Sequence, residues 1–187
     1  MNDPQNMSAP SVRPPAVAGQ FYPGDAATLG QTVDDFLDQV SLAQDDRVSW
    51  LKAIIAPHAG YVYSGPVAAS VYACLRAAKD TVQRVILLGP AHRVAFRGMA
   101  VPSVAGFDTP LGVVPLDTQA IEQIKSCSSV IISDEAHAQE HSLEVHLPFL
   151  QRVLGEFSLV PICVGDARPE DVAQVLEMLW GGPETLV

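Results

Sequence analysis

The sequence predicts an α/β fold in which a mostly parallel or mixed central sheet carries helices on both faces. Two short apolar runs, at residues 51–56 and 84–88, each end at a proline or a Gly-Pro pair, which is typical of strands buried on both faces. Between them, residues 67–78 are rich in alanine and have a helical period. This order of strand, helix and strand predicts a parallel βαβ unit with a right-handed crossover. A further apolar run at residues 157–164 predicts another buried strand.

Composition narrows the classes of function. The chain has 187 residues, 48% of them hydrophobic and 17% charged, which suits one globular domain. A formal net charge of −10 would repel a phosphate backbone, so we expect no nucleic-acid partner. The apolar runs are far shorter than the ~20 residues that cross a bilayer, so we expect no membrane association. The cysteines, Cys74, Cys127 and Cys163, lack the spacing of metal or redox pairs, which indicates reduced thiols in a cytoplasmic protein.

The N-terminal quarter is predicted to hold an arm, a proline-rich segment and a helix. Residues 1–12 are polar and have no apolar signal region, so we expect a disordered arm there. Residues 13–23 contain three prolines that fix an extended or turning path. Asp25 then precedes apolar residues at spacings of three and four as far as Val40, the pattern of a capped amphipathic helix. The acidic stretch 41–49 predicts a loop.

The remaining elements follow from turn residues and periodicity. A hairpin or elaborated loop is predicted at 98–114, followed by a helix that is capped by Asp117 and runs to about Cys127 and by a strand at 130–132. An amphipathic helix is predicted at 142–154, with Ser142 as N-cap and Pro148 as a strained position. A last helix is predicted at 169–180. Residues 183–187 look like the opening of one more strand. Because a strand cut short leaves a sheet edge unpaired, we expect this chain to be a C-terminally truncated piece of a longer domain.

The strongest chemical signal is a pair of histidines, His58 and His92, that each follow a predicted strand. In open α/β sheets, ligands gather at the carboxyl ends of the strands. Two neighbouring strand ends lie about 5 Å apart, or about 10 Å with one strand between, and either distance lets two imidazoles meet one ion. Gly60 and Gly89 would allow close backbone approach. A lone histidine would more simply bond a carbonyl, but two in matching contexts favour a shared metal site.

A third group of polar residues, 137–146, precedes and enters the predicted helix. Glu140 and His141 fall in the loop before Ser142, where they either line a pocket or serve only the loop. His146 falls on the apolar face, which indicates a core position. A catalytic metal site usually has three protein ligands, and one class of iron enzymes uses two histidines and a carboxylate. His58 and His92 supply two, so the third ligand is Glu140, His141 or a residue outside this chain.

Five ordered blocks of sequence then resemble one known family. They are Pro-Ala-Val-Ala-Gly-Gln-Phe-Tyr-Pro (15–23), Pro-His-Ala-Gly-Tyr-Val-Tyr-Ser-Gly (57–65), Leu-Leu-Gly-Pro-Ala-His (87–92), Phe-Asp-Thr-Pro-Leu-Gly (107–112) and Glu-His-Ser-Leu-Glu-Val-His-Leu-Pro-Phe (140–149). Over residues 13–187 the chain resembles the Memo family, called AmmeMemoRadiSam system protein B in prokaryotes. That family is similar in fold to the class III extradiol dioxygenases, non-haem iron enzymes with an α/β/α core. The resemblance implies that residues 13–187 are the N-terminal two-thirds of a single Memo-like domain.

The resemblance also carries expectations about the site. It implies that His58 and His92 correspond to the metal-pocket histidines of the family. The family's other pocket residues, an Asp and a His in a Ser-Ser-Asp-x-x-His type motif and a later cysteine, would lie beyond Val187, so we expect an incomplete site. The three cysteines of this chain are not in the matching context. The resemblance further implies partnership with an AMMECR-type protein and a radical-SAM enzyme.

Three functions remain open at this stage, and no catalytic residue is assigned. The first is a metal-binding protein of unproven catalysis that holds a divalent or redox metal, iron or copper, with zinc as a further option. The second is a non-haem iron dioxygenase of the extradiol type, in which Glu140 and His141 act as ligand and base while Tyr61 and Tyr63 line the cleft. The third is a binding module that uses the same pocket for a peptide or another ligand.

Overall fold

The computed structural model describes residues 11–42 and 51–187. Its strands are β1 (Val12–Arg13), β2 (Arg84–Pro90), β3 (Met99–Val101), β4 (Gly106–Phe107), β5 (Val114–Pro115), β6 (Val130–Ile132), β7 (Ser158–Val164) and β8 (Thr185–Leu186). Its α-helices are α1 (Ala26–Asp38), α2 (Tyr61–Tyr72), α3 (Thr118–Ile124), α4 (Asp134–Ala138), α5 (Leu147–Leu154) and α6 (Pro169–Leu179). Two 3₁₀ segments, Ala73–Ala78 and Glu144–His146, extend α2 and introduce α5.

The strands form two mixed sheets that are flanked by helices, which confirms the predicted α/β class. The larger sheet has the strand order β6-β3-β7-β2-β8 and is parallel except where β3 meets β7. The smaller sheet has the order β1-β4-β5, with β1 parallel to β4 and β4 antiparallel to β5. Helices α1, α2 and α5 pack against one another, and α3 packs against α6.

The centre of the larger sheet is the pair β2 and β7. The two strands run parallel in a seven-residue register from Arg84 opposite Ser158 to Pro90 opposite Val164. Their inner residues are apolar and closed to solvent, Ile86 and Ile162 among them. Because β2 ends at Pro90, the chain delivers His92 to the carboxyl edge of the sheet.

Residues 51–56 do not form the predicted strand buried on both faces. The segment makes two parallel-type hydrogen bonds, from the Ile54 amide to the Val187 carbonyl (2.9 Å) and from the Val187 amide to the Lys52 carbonyl (3.0 Å). Ile55 is 94% exposed. Since β8 pairs with the start of β2, Val187 lies between this segment and β2. The two segments that precede His58 and His92 are therefore separated by one strand position.

Two predicted helices differ in where they begin. Helix α2 starts at Tyr61, six residues earlier than predicted, and includes Pro66. Ser142 does not cap a helix, because its hydroxyl donates to the Pro90 carbonyl (2.9 Å). Helix α5 begins instead at Leu147, which puts Pro148 in the first turn. A first-turn proline lacks an N–H that would be unpaired anyway, so Pro148 is not a strained position.

The other predicted elements are present. Confirmed elements include α1 with Asp25 as N-cap, the β4–β5 hairpin, α3 with Asp117 as N-cap, the strands β6 and β7, and α6. Helix α3 ends at Ile124, three residues short of Cys127. Two short elements were not predicted, the strand β1 and the helix α4, whose N-cap is Ser133.

The ends of the described segments bear on two further predictions. The predicted arm lies mostly outside the described residues, but its last residue, Val12, belongs to β1 and pairs with Gly106 of β4. Most of the loop predicted at 41–49 also lies outside them. Within residues 11–42 and 51–187, no helix is long and apolar enough to cross a bilayer.

Candidate metal centre

Three histidine rings converge at the carboxyl edge of the larger sheet. The ring centroids of His58 and His92 are 5.4 Å apart. The ring of His141 lies 4.7 Å from that of His92 and 6.0 Å from that of His58, again between centroids. The structure therefore brings together both strand-end histidines and the loop histidine that the sequence left undecided. These three residues are called the histidine cluster below.

The ring centroids of the histidine cluster are about as far apart as those of imidazoles bound to a single ion. A metal–nitrogen bond of ~2.1 Å plus an imidazole radius of about 1.1 Å puts a ligand's centroid ~3.2 Å from the ion. For tetrahedral angles, two such centroids are then about 5 Å apart. The three measured separations of 4.7, 5.4 and 6.0 Å bracket that distance. The cluster has three imidazoles, the number of protein ligands in a three-histidine site. Among the described residues, however, the group whose ligand atoms lie within 4.8 Å of one another is His92, Glu140 and His141, so His58 would have to move toward the other two rings to share an ion with them.

Glu140 accepts four hydrogen bonds, three on Oε1 and one on Oε2. Its Oε1 accepts from His92 Nδ1 and from the amides of His141 and Ser142, each at 2.9 Å. Its Oε2 accepts from the His92 amide at 2.6 Å. Burial opposes ionisation of this carboxyl, but the bonds from His92 and Ser142 dominate and lower its pKa to about 2. Glu140 is therefore an anionic clamp on His92.

The ligand atoms of His92, Glu140 and His141 lie within 4.8 Å of one another, so Glu140 could be counted as a ligand. Its four hydrogen bonds favour a different role. A carboxylate that accepts the Nδ1 proton of a histidine fixes the tautomer and leaves Nε2 with the lone pair for an ion. The hydrogen bonds thus make Glu140 the residue that orients the His92 ring.

His141 has a buried nitrogen that lacks a partner. Its Nδ1 makes no hydrogen bond within the described parts of the chain, although Glu140 Oε1 is 3.4 Å away. A buried polar atom without a partner is costly, which makes this nitrogen a candidate ligand atom. Burial lowers the pKa of both His58 and His141, and the neighbouring imidazoles lower it further. The negative charge of Glu140 raises both pKa values but does not cancel this shift. Both rings are therefore held in the neutral form that binds metals.

Close packing fixes the loop that carries Glu140 and His141 against the end of β2. The Ser142 hydroxyl donates to the Pro90 carbonyl, and the backbone of Gly89 lies directly against Ser142. A Cβ atom at position 89 would lie 2.6 Å from Ser142 Oγ. Glycine is thus needed at this position for close approach, as the sequence predicted for Gly89.

An open pocket of about 600 Å³ adjoins the histidine cluster. Its lining includes His58, His141, Phe21, Val62 and Tyr63. The Phe21 ring lies 4.9 Å from the His141 ring, and Val62 and Tyr63 are 88% and 84% exposed. The pocket therefore presents an apolar surface beside the nitrogen ligands.

Tyr61 does not share this pocket with Tyr63. It is buried, and its hydroxyl donates to the Val145 carbonyl at 2.8 Å. Its ring packs against Phe149 at 5.0 Å between centroids. Tyr61 is therefore part of the core beneath the cluster, and only Tyr63 lines the pocket.

His146 lies in the core, as its place on the apolar face indicated. Its Nδ1 is 2.7 Å from the Tyr72 hydroxyl, and its ring centroid is 6.5 Å from that of His58. Sequence reasoning missed two buried residues next to the site, Arg13 and Glu144, which form an ion pair at 2.7 Å. Nothing in their sequence context distinguishes them from exposed charges.

Comparison with known proteins agrees with the resemblance. A family model described as "Memo-like protein" matches residues 13–181. The chain is 41% identical over 183 residues to a MEMO1 family protein of Ignicoccus hospitalis, which covers 94% of this chain and 64% of that protein. It is 40% identical over 179 residues to one from Thermotoga sp. strain RQ2, covering 89% and 64%, and 42% identical over 159 residues to one from Methanopyrus kandleri, covering 81% and 56%. The chain thus spans less than two-thirds of the length of these relatives, and it belongs to the Memo family.

Proposed function

We propose that this chain forms a metal-binding pocket in which His58, His92 and His141 hold one ion. The convergence of the three rings within 6.0 Å carries the proposal. Imidazole ligands suit iron, copper and zinc, so the donor set leaves the choice among these metals open. A bound ion would act there as a Lewis acid or, if it is iron or copper, as a redox centre.

The protein's own part is to present three neutral rings in a fixed arrangement. Glu140 holds the Nδ1 proton of His92 and so directs its Nε2 toward the cluster. Burial keeps His58 and His141 unprotonated by lowering their pKa values. Because a metal competes with protons for the same nitrogens, neutral rings favour binding near pH 7.

The apolar pocket supports ligand binding as a second candidate function. Val62 and Tyr63 are exposed on the pocket wall, next to His58 and His141. Such a surface would accept an apolar or aromatic group whose polar end meets the histidine cluster. For an extradiol-type dioxygenase, a carboxylate ligand would be required as well, and the four hydrogen bonds of Glu140 favour its orienting role instead. Catechol-dependent oxygen uptake by the iron-loaded protein tests that activity, and uptake at the background rate counts against it.

The metal proposal is tested by metal content and by titration. We would load the protein with Fe(II), Cu(II) or Zn(II), remove free metal and measure what remains bound, in the wild type and in His58→Ala and His92→Ala. We expect about one ion per wild-type chain and a loss of binding in both variants. His137→Gln is the matched control, since His137 is a buried histidine that bonds the Ala100 carbonyl outside the cluster. Equal metal content in His58→Ala and the wild type would defeat the assignment.

The role of Glu140 is tested separately by Glu140→Gln. An orienting residue should lower the metal affinity by about 10- to 100-fold without abolishing binding. A complete loss, equal to that of His92→Ala, would instead identify Glu140 as a ligand. Partnership with an AMMECR-type protein and a radical-SAM enzyme stays a prediction of the family resemblance.

A further inference from the structure

The feature that the proposed function leaves unexplained is a buried ion pair behind the histidine cluster. Arg13 lies in β1, and Glu144 lies at the end of the segment 137–144, which is called the site loop below. The two residues are 5% and 0% exposed, and Arg13 Nη1 lies 2.7 Å from Glu144 Oε2. The two residues are 131 positions apart in sequence. A buried charge pair is costly to desolvate and is weak evidence for stability, so its geometry needs another explanation.

The guanidinium of Arg13 holds both ends of the turn that leads to the site. Arg13 Nε donates to the His137 carbonyl and Nη2 to the Glu140 carbonyl, each at 2.7 Å. With the bond to Glu144, three donors of one rigid fork contact the segment 137–144 at three points. The backbone of Glu140 is thus fixed from behind by Arg13, while its carboxylate is engaged with His92 in front.

Glu144 in turn holds Arg13 in place. Its carboxylate also accepts from the amides of Ala16 (2.8 Å) and Val17 (3.0 Å) and from the Tyr22 hydroxyl (2.6 Å). Every donor belongs to the N-terminal segment that continues into the pocket wall at Phe21. The network therefore ties this wall and the site loop to one carboxylate.

We propose that Arg13 is a positioning residue for the metal pocket, whose three hydrogen bonds hold the site loop where the Glu140 carboxylate meets the His92 ring. The inference rests on the proposed function for its biological meaning, but the chain of contacts exists without an ion. Arg13 acts through Glu140 and does not itself face the cluster. Lysine carries the same charge but has no rigid fork, so it cannot reach the three acceptors with one geometry.

The test uses Arg13→Lys and two measurements, one of them free of metal. The ¹⁵N shifts of the His92 ring nitrogens report its tautomer, and the His92 signals are assigned by their absence in His92→Gln. In the metal-free wild type we expect one tautomer, with the proton on Nδ1. In Arg13→Lys we expect the two nitrogen shifts to move toward each other as the ring loses its fixed partner. With Co(II) as probe, we expect an altered visible spectrum and an affinity lower by about tenfold, the lower end of the range for residues that support ligands.

The matched control is Arg84→Lys, because Arg84 also bonds a carboxylate, Asp117, at 2.7 Å. It lies at the start of β2, about 20 Å from the end that leads to His92. We expect Arg84→Lys to leave the His92 shifts and the Co(II) spectrum as in the wild type. If Arg13→Lys does not fold, the double variant Arg13→Met with Glu144→Gln replaces it, since it leaves no lone buried charge.

The outcomes separate this inference from the metal proposal. Unchanged His92 shifts in a folded Arg13 variant overturn the positioning role, whatever the metal affinity. Changed shifts in a protein that binds no Co(II) support the positioning role and count against the proposed function alone. A change of equal size in Arg84→Lys also overturns the inference, because it would reflect general destabilisation.

Discussion

His137 should make the fold sensitive to mild acid. The residue is 1% exposed, and burial lowers its pKa to about 4. The hydrogen bond to the Ala100 carbonyl raises the pKa, but burial outweighs it. Since a carbonyl only accepts, the ring nitrogen Nε2 at 3.0 Å from Ala100 carries the proton. The other nitrogen, Nδ1, is buried and has no hydrogen-bond partner within residues 11–42 and 51–187. Protonation would place a second N–H where nothing described accepts it.

The size of the effect follows from the difference between the two states. The ordinary pKa of histidine is about 6.5. Between pH 6.5 and pH 4, His137 is therefore protonated in the unfolded chain and neutral in the native chain. Stability therefore falls as the pH falls through this window. At pH 5 the loss from His137 is about 2 kcal/mol relative to pH 7.5, and it approaches ~3 kcal/mol below pH 4. The pKa of His146 is likewise lowered to about 4, so it adds to the slope, whereas Glu140 stays ionised because its pKa is about 2.

Urea unfolding followed by circular dichroism at pH 5 and pH 7.5 measures this loss. His137→Gln is the informative variant, because the glutamine amide can still donate to the Ala100 carbonyl and does not titrate. We expect the decrease in the free energy of unfolding between the two pH values to be smaller in His137→Gln by about 2 kcal/mol. Parallel stability curves for the wild type and His137→Gln, within ~0.5 kcal/mol, would refute the argument that His137 is held neutral.

Three further substitutions probe the packing of the site. Gly89→Ala would place a Cβ 2.6 Å from Ser142 Oγ. We therefore expect the free energy of unfolding in urea to fall by about 1–3 kcal/mol and metal binding to weaken as the site loop moves. A metal affinity equal to that of the wild type would contradict this expectation. Tyr61→Phe should cost about 1 kcal/mol, because it removes the buried bond to the Val145 carbonyl. Tyr63→Phe should stay within ~0.5 kcal/mol of the wild type, since Tyr63 is 84% exposed, and equal losses in the two tyrosine variants would contradict their separate placement.

The convergence of His58 and His92 could be predicted because topology alone determines it. A residue that follows a strand arrives at the edge of the sheet, whatever its side chain does next. His92 follows β2 as expected. His58 reaches the same edge although residues 51–56 form no strand, because the extended segment still runs beside Val187 in the parallel direction. The position of His58 thus depends on the direction in which residues 51–56 run and does not require the regular hydrogen bonding of a strand.

The fate of the two tyrosines could not be predicted because it depends on where α2 begins. A helix that starts at residue 67 leaves Tyr61 and Tyr63 in a loop, where both can line a cleft. The observed helix starts at Tyr61. Residues two apart on a helix point about 200° away from each other, so one faces the core and the other faces solvent. Pro66 obscured this start, since proline inside a helix normally marks a boundary.

The site loop shows most directly why residue types alone do not identify ligands. His137 and His141 are four residues apart, a spacing that would put both on one face of a helix. The structure separates them, because α4 ends at Ala138 and His137 turns inward to the Ala100 carbonyl. Between them Glu140 is kept ionised by four donors, while His137 is kept neutral by burial. Glu140 and His137 thus differ in charge because of their surroundings. Two of the four donors to Glu140 belong to His92, which follows β2, and His137 meets Ala100 in β3, so no local pattern in the loop encodes these contacts.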